Sequence, residues 1–174
     1  MKSYDNKNIN IGHNILKRKT LNSTNNYTIA LWKKNALEEG TVVWTENQTE
    51  GRGQANNVWE SQAGKNLTFS IIVYPDVIKA DEQFRISQAV SLAVSDYLCY
   101  EFSRLELDKE RIKIKWSNDM YVDDKKICGI LIENSIRADS IVRSIIGIGL
   151  NINQIKFISS APNPVSLRQI TGME

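Results

Sequence analysis

Two cations in this sequence stand where an anion could be handled. Arg52 lies in Gln48-Thr49-Glu50-Gly51-Arg52-Gly53-Gln54. Glycine lets backbone amides approach an anion closely, and a guanidinium can grip phosphate or carboxylate oxygens as a fork. The segment is neither a Walker A loop nor a dinucleotide fingerprint: the lysine and Ser/Thr spacing and the strand–glycine–helix context are both missing. Taken alone, Gly-Arg-Gly also fits a flexible exposed turn. Lys126 opens Lys126-Ile127-Cys128-Gly129-Ile130-Leu131-Ile132-Glu133, just past a turn and leading into an apolar strand. A lysine there can neutralise a carboxylate or a developing phosphate charge, although most turn lysines are simply solvated.

Two further segments could serve the same chemistry. Lys115-Trp116-Ser117-Asn118-Asp119 falls at a strand end, where side chains are held rigidly yet can face a pocket; an Asn-Asp turn is the plainer reading. In Gly147-Ile148-Gly149-Leu150-Asn151-Ile152-Asn153, alternation puts Gly147, Gly149, Asn151 and Asn153 on one face, with Ile146, Ile148, Leu150 and Ile152 on the core face. Paired glycines weaken a strand and mark the close approach of a ligand or a packed helix.

The elements that must position these groups follow from periodicity. Residues 11–19 fit a short edge strand. Ser23-Thr24-Asn25 offers helix caps before a helix predicted to reach Leu37, ended by Glu39-Gly40. Thr41 to Thr45 reads as a strand. Residues 46–66, with Gly51, Gly53 and Gly64, form a long loop, and such loops inside compact domains are often functional. Leu67 to Tyr74 alternates, with Leu67, Phe69, Ile71 and Val73 on one face, and Pro75 closes it. A helix over 81–102 carries the stripe Ile86, Ala89, Val90, Ala93, Val94, Tyr97 and Leu98. Arg111 to Trp116 alternates again. Asp123-Asp124 turns a hairpin between strands 119–122 and 126–133, and a last strand spans Ile141 to Ile152. Hairpin-linked strands with two or three helices favour an α+β domain with a mixed, largely antiparallel sheet flanked by helices.

Composition narrows the function classes. With 174 residues, 41% hydrophobic and 24% charged, the chain suits one globular domain. A net charge of +2 gives no general case for nucleic acid or an acidic membrane. One histidine, His13, makes a zinc site or a serine–histidine triad a poor candidate, and no metal ligands are assigned. Cys99 and Cys128 read as buried thiols. No apolar run reaches spanning length and no signal peptide is visible, so the expectation is a cytoplasmic protein.

In order and spacing the segments together resemble the biotin protein ligase family: the trio Ser23–Asn25, the loop Gly51–Trp59, Lys115–Asp119, Lys126–Leu131 and Gly147–Asn151. The resemblance implies a fold like that of class II aminoacyl-tRNA synthetases and biotin ligases. It also implies ATP-dependent, Mg²⁺-assisted activation of biotin to an adenylate, then transfer to a lysine of a biotin carboxyl carrier protein. Carried over by motif, Ser23, Thr24, Asn25, Gln48, Arg52, Gly53, Gln54 and Lys126 would bind biotin. Arg52, Trp59, Asn118, Lys126 and Asn151 would meet the nucleotide, and Arg52, Lys126 and Asp119 would serve catalysis. Ser117 stands where the family often has proline, and Gln54 where some members have arginine. Residues 1–174 are expected to be the catalytic domain without the small C-terminal β-domain or an N-terminal DNA-binding domain, hence no sequence-specific DNA binding. Dimers occur in the family, but no exposed stripe here singles one out. The rival readings are a lipoate or octanoate ligase or transferase of the same fold, and a biotin-binding module with impaired turnover.

Overall fold

The computed structural model describes residues 10–116, 118–159 and 163–173; Ser117, noted above, lies outside them. The strands are β1 (Ile15–Leu21), β2 (Val42–Gln48), β3 (Leu67–Val73), β4 (Ile112–Lys115), β5 (Asp119–Val122), β6 (Lys125–Arg137) and β7 (Ser140–Leu150). The helices are α1 (Thr24–Lys34), α2 (Phe84–Arg104) and the short α3 (Leu167–Thr171). All seven strands form one sheet in the order β1-β2-β3-β7-β6-β5-β4. β1 runs parallel to β2, and every other neighbouring pair is antiparallel. This is the mixed, largely antiparallel sheet that the hairpin pattern predicts.

Alternation gives the sheet two unlike faces. Register places Leu67, Phe69 and Ile71 of β3 beside Leu150, Ile148 and Ile146 of β7, and these beside Cys128, Ile130 and Ile132 of β6. That face is the hydrophobic core, closed by Ile86, Val94, Leu98 and Phe102 of α2. The other face carries Thr68, Ser70, Gly147, Gly149, Gly129, Leu131 and Glu133 in the same registers. α1 packs over part of it, against β2, β3 and β7. A polar sheet face half-covered by a helix leaves room for a site.

Several predicted boundaries shift, each for a local reason. α1 stops at Lys34 instead of Leu37, and Asn35 is already extended. The chain beyond is tied to the end of β3: Tyr74 donates its hydroxyl to the Leu37 carbonyl at 2.6 Å and its amide to Glu39 at 2.7 Å. β2 extends to Gln48, because β1 pairs with it as far as Leu21 opposite Gln48. In α2, the buried line is Ile86, Ser91, Val94, Leu98 and Phe102, while Ala89, Ala93 and Tyr97 are exposed. The helix thus buries a narrower stripe than the sequence suggests. Asp123, at φ +54°, turns the β5–β6 hairpin in the left-handed region that Asp tolerates, and Arg111 holds its carboxylate at 2.8 Å.

Candidate functional site

Ser23 ends the β1–α1 connection and caps α1 by accepting from the Asn26 amide at 3.4 Å. Capping turns the first residues of the helix toward the polar sheet face, where Ser23, Thr24 and Asn25 are all buried. The Thr24 amide donates to Gln48 Oε1 at 2.9 Å, and the Thr24 hydroxyl lies 3.2 Å from the same atom. Ser70, from β3, places its hydroxyl 2.8 Å from Thr24 Oγ1 and donates to Asn25 Oδ1 at 2.5 Å. Asn25 in turn donates from Nδ2 to Glu133 Oε2 at 2.8 Å and to the Leu131 carbonyl at 3.3 Å. Arg52 Nη2 meets that same Glu133 oxygen at 2.7 Å. A continuous polar chain therefore runs from Gln48 to Arg52.

The long loop folds back on itself. Gly53 donates to the Asn57 carbonyl at 2.7 Å, and Trp59 to the Gly51 carbonyl at 2.9 Å. A Cβ on Gly51 would stand 2.7 Å from Gln48 Nε2, so the tight approach needs glycine there. The return strand lays the Trp59 ring on the sheet. A Cβ on Gly129 would fall 2.9 Å from the ring, and one on Gly149 would be closer still. Glu60 fixes the next residue: its carboxylate accepts from the Ser159 amide at 2.7 Å, the Ile158 amide at 3.0 Å and Gln154 Nε2 at 2.9 Å. Burial pushes the Glu60 carboxyl upward, but these donors outweigh it and hold it below the usual carboxylate range.

At the far side, Lys126 Nζ pairs with Asp119 Oδ1 at 2.7 Å and lies 5.8 Å from the Trp59 ring centre. Asn118 exchanges bonds with Ile130: its carbonyl accepts from the Ile130 amide at 3.0 Å and its side-chain amide donates to the Ile130 carbonyl. The result is a cavity of about 320 Å³ on the polar face. Ser23, Thr24, Asn25, Gln48, Arg52, Gly53, Gln54, Trp59, Asn118, Asp119 and Lys126 all line it. Asn151 does not: it is buried, and its amide donates to the Val165 carbonyl at 3.1 Å. The sequence reading passed over Glu133 and Ser70. Their signal was present: a carboxylate and a hydroxyl at alternating positions of otherwise apolar strands. Cys128 is buried on the core face, where burial pushes its thiol up to about 12, so it is no nucleophile.

Chemically, the cavity has an end of neutral hydrogen-bonding groups, a floor of glycine backbone, and two cations each held by an internal carboxylate. Such an arrangement suits a ligand with a polar head and an anionic tail. The sequence profile of the Biotin/lipoate A/B protein ligase family matches residues 18–151. A bifunctional ligase/repressor BirA of Bacillus subtilis (strain 168) is 34% identical over 145 residues, 83% of this chain and 42% of the relative. The chloroplastic biotin–protein ligase 1 of Arabidopsis thaliana is 36% identical over 118 residues, 67% of this chain and 31% of the relative. The chain thus spans less than half the length of these two relatives. Among solved structures, the biotin protein ligase from Aquifex aeolicus in complex with biotin and ATP superposes with a TM-score of 0.74 at 28% identity, covering 93% of this chain and 62% of that one. The residues that carry the polar chain and the two cations fall within the matched span, and the chain belongs to the biotin/lipoate A/B protein ligase family.

Proposed function

We propose that this cavity activates biotin with ATP, forming biotinyl-AMP and pyrophosphate, and passes the biotinyl group to a lysine of a biotin carboxyl carrier protein. The observation that carries the reading is the single cavity that joins the Ser23–Asn25 and Gln48 end to Arg52 and Lys126. A ureido ring offers donors and acceptors for hydroxyl and amide side chains, and a dithiolane or alkyl chain does not; this favours biotin over lipoate or octanoate.

In the first step a biotin carboxylate oxygen attacks the α-phosphorus and the bond to the β-phosphate oxygen breaks. Carboxylate and phosphate repel, so Lys126 and Arg52 would offset that repulsion and stabilise charge in the transition state. In the second step the lysine amine attacks the acyl carbon, AMP leaves and the nitrogen loses a proton. Asp119 would hold that amine or take the proton; Asp119→Asn should then slow transfer from preformed adenylate, and an unchanged transfer rate removes it from this role. Gly53 and Gln54 lie in the loop that would shield the mixed anhydride from water, with Trp59 and Asn118 on the nucleotide side and Asn151 set behind the cavity wall, bonded to Val165. Among the described residues, no group of three or more His, Cys, Asp or Glu could hold a metal ion. Magnesium would arrive with the nucleotide as MgATP. Among the described residues no helix is long and apolar enough to cross a membrane; we place the reaction in the cytoplasm, where ATP is supplied.

Calorimetric titration with biotin, followed by MgATP with pyrophosphate detection, tests the reading. Binding with pyrophosphate release supports a ligase. Binding without turnover supports a holding module, and binding of lipoate in place of biotin moves the substrate within the family.

A further inference from the structure

Glu133 stands on β6 two residues beyond Leu131, pointing onto the same face as Gly129 and Leu131. A carboxylate there loses much of its water, and its side chain is only 31% exposed. Two donors converge on one oxygen: Asn25 Nδ2 at 2.8 Å and Arg52 Nη2 at 2.7 Å. Arg143, on β7, adds a second positive charge whose field reaches Glu133. The acceptor also decides which way Asn25 lies. With Nδ2 committed to Glu133 and the Leu131 carbonyl, Oδ1 must face Ser70 and the Gly147 backbone.

We infer that Glu133 is a positioning residue of this site, whose single oxygen fixes the amide of Asn25 and the guanidinium of Arg52 together and so ties the Gly51–Trp59 loop to the head end of the cavity. The inference rests on the proposed biotin site for its ligand, but the tie itself is a property of the unliganded protein. Arg52 stands at the tip of a loop whose backbone bonds close on themselves at Gly51–Trp59 and Gly53–Asn57, and Glu133 is a charged grip of the sheet on that tip. Asn25 belongs to a buried helix start. Anything that moves one of the two is felt by the other through the shared acceptor.

Glu133→Gln keeps the size of the side chain and removes the charge. Its amide oxygen can satisfy one donor, while its NH2 group turns a donor toward the other. Hydrogen exchange at the amides of Gly53, Asn57 and Trp59, each bonded within the loop, reads the grip without any ligand. Exchange should rise about tenfold in E133Q, as expected for loss of one charge-assisted bond. R52M should match it, and E133Q/R52M should add nothing. In the wild type, biotin should further slow exchange in the loop, and E133Q should abolish that response while retaining the melting midpoint within a few degrees. Equal loop exchange in E133Q and wild type, or effects of E133Q and R52M that multiply, overturns the inference. If wild-type protein fails to bind biotin, the proposed substrate falls, and the ligand-free exchange comparison still decides the role of Glu133. Where biotin binds, the expected kinetic signature is a raised KM for biotin together with a lowered kcat, since the head and the anion end both lose their register. A change confined to protein stability, with KM and kcat intact, also overturns it.

Discussion

Substituting alanine for Gly149 tests whether the tryptophan truly lies on the glycine floor. The backbone of Gly149 is not in the left-handed region, so alanine meets no conformational penalty there. In an open strand, alanine in place of glycine would gain about 0.5–1 kcal/mol. Here the added Cβ would stand 2.5 Å from Trp59 Nε1 and 2.7 Å from Cζ2. Ordinary contacts need roughly 3.5–4.0 Å, so the ring must retreat by about 1 Å. It cannot slide freely: its own amide is bonded to Gly51, and Glu60 beside it is clamped by Ser159, Ile158 and Gln154. Overpacking of this kind costs roughly 1–3 kcal/mol. G149A should therefore destabilise by about that amount in urea unfolding followed by circular dichroism, and it should weaken ligand binding as the ring rises into the cavity. In a W59A background the same change should be neutral or stabilising by up to about 1 kcal/mol. Equal costs of G149A with and without Trp59 would refute the stacking argument.

Other outcomes follow from the same geometry. Lys126→Met should lower the rate of adenylate formation by about 10²-fold or more while leaving biotin affinity less affected, measured by pyrophosphate release against calorimetry. Glu60 has a folded pKa held below its unfolded value. Its contribution to stability is thus full above the unfolded value, near roughly pH 4.3, and is lost as pH falls through the folded value. The stability difference between wild type and Glu60→Gln should accordingly be constant from neutral pH down to about 5 and shrink below that, in urea melts across the range.

Most of the architecture is written locally. Strand alternation in Leu67–Val73 and 126–133 and the Asp123-Asp124 turn are local patterns, and the sheet realises them. The motif residues from Ser23 to Lys126 also reach one cavity, because strand ends and a capped helix start are where local rules place side chains at a sheet face. Periodicity could not resolve where α1 stops, since Tyr74, far along the chain, draws residues 37–39 away from the helix.

The glycine pair illustrates the division. Sequence marked Gly147 and Gly149 as points of close approach and left open whether a ligand or a helix approaches. The fold answers with a helix at one and a loop side chain at the other: Asn25 at the start of α1 sits over Gly147, and Trp59 lies over Gly149. Alternation also aligned Asn151 with them. β7, however, ends at Leu150, and tertiary pairing turns the Asn151 amide to Val165 instead of the cavity. The place of Glu133 on the polar strand face was legible, but its partners were not, for the same reason. Its partners Asn25 and Arg52 lie 108 and 81 positions away. The sequence by itself determined which side chains share a strand face and which chemistry they could perform. Which of them meet was decided only when β6, β7, α1 and the long loop closed on one sheet face, because a contact between distant segments leaves no period in either of them.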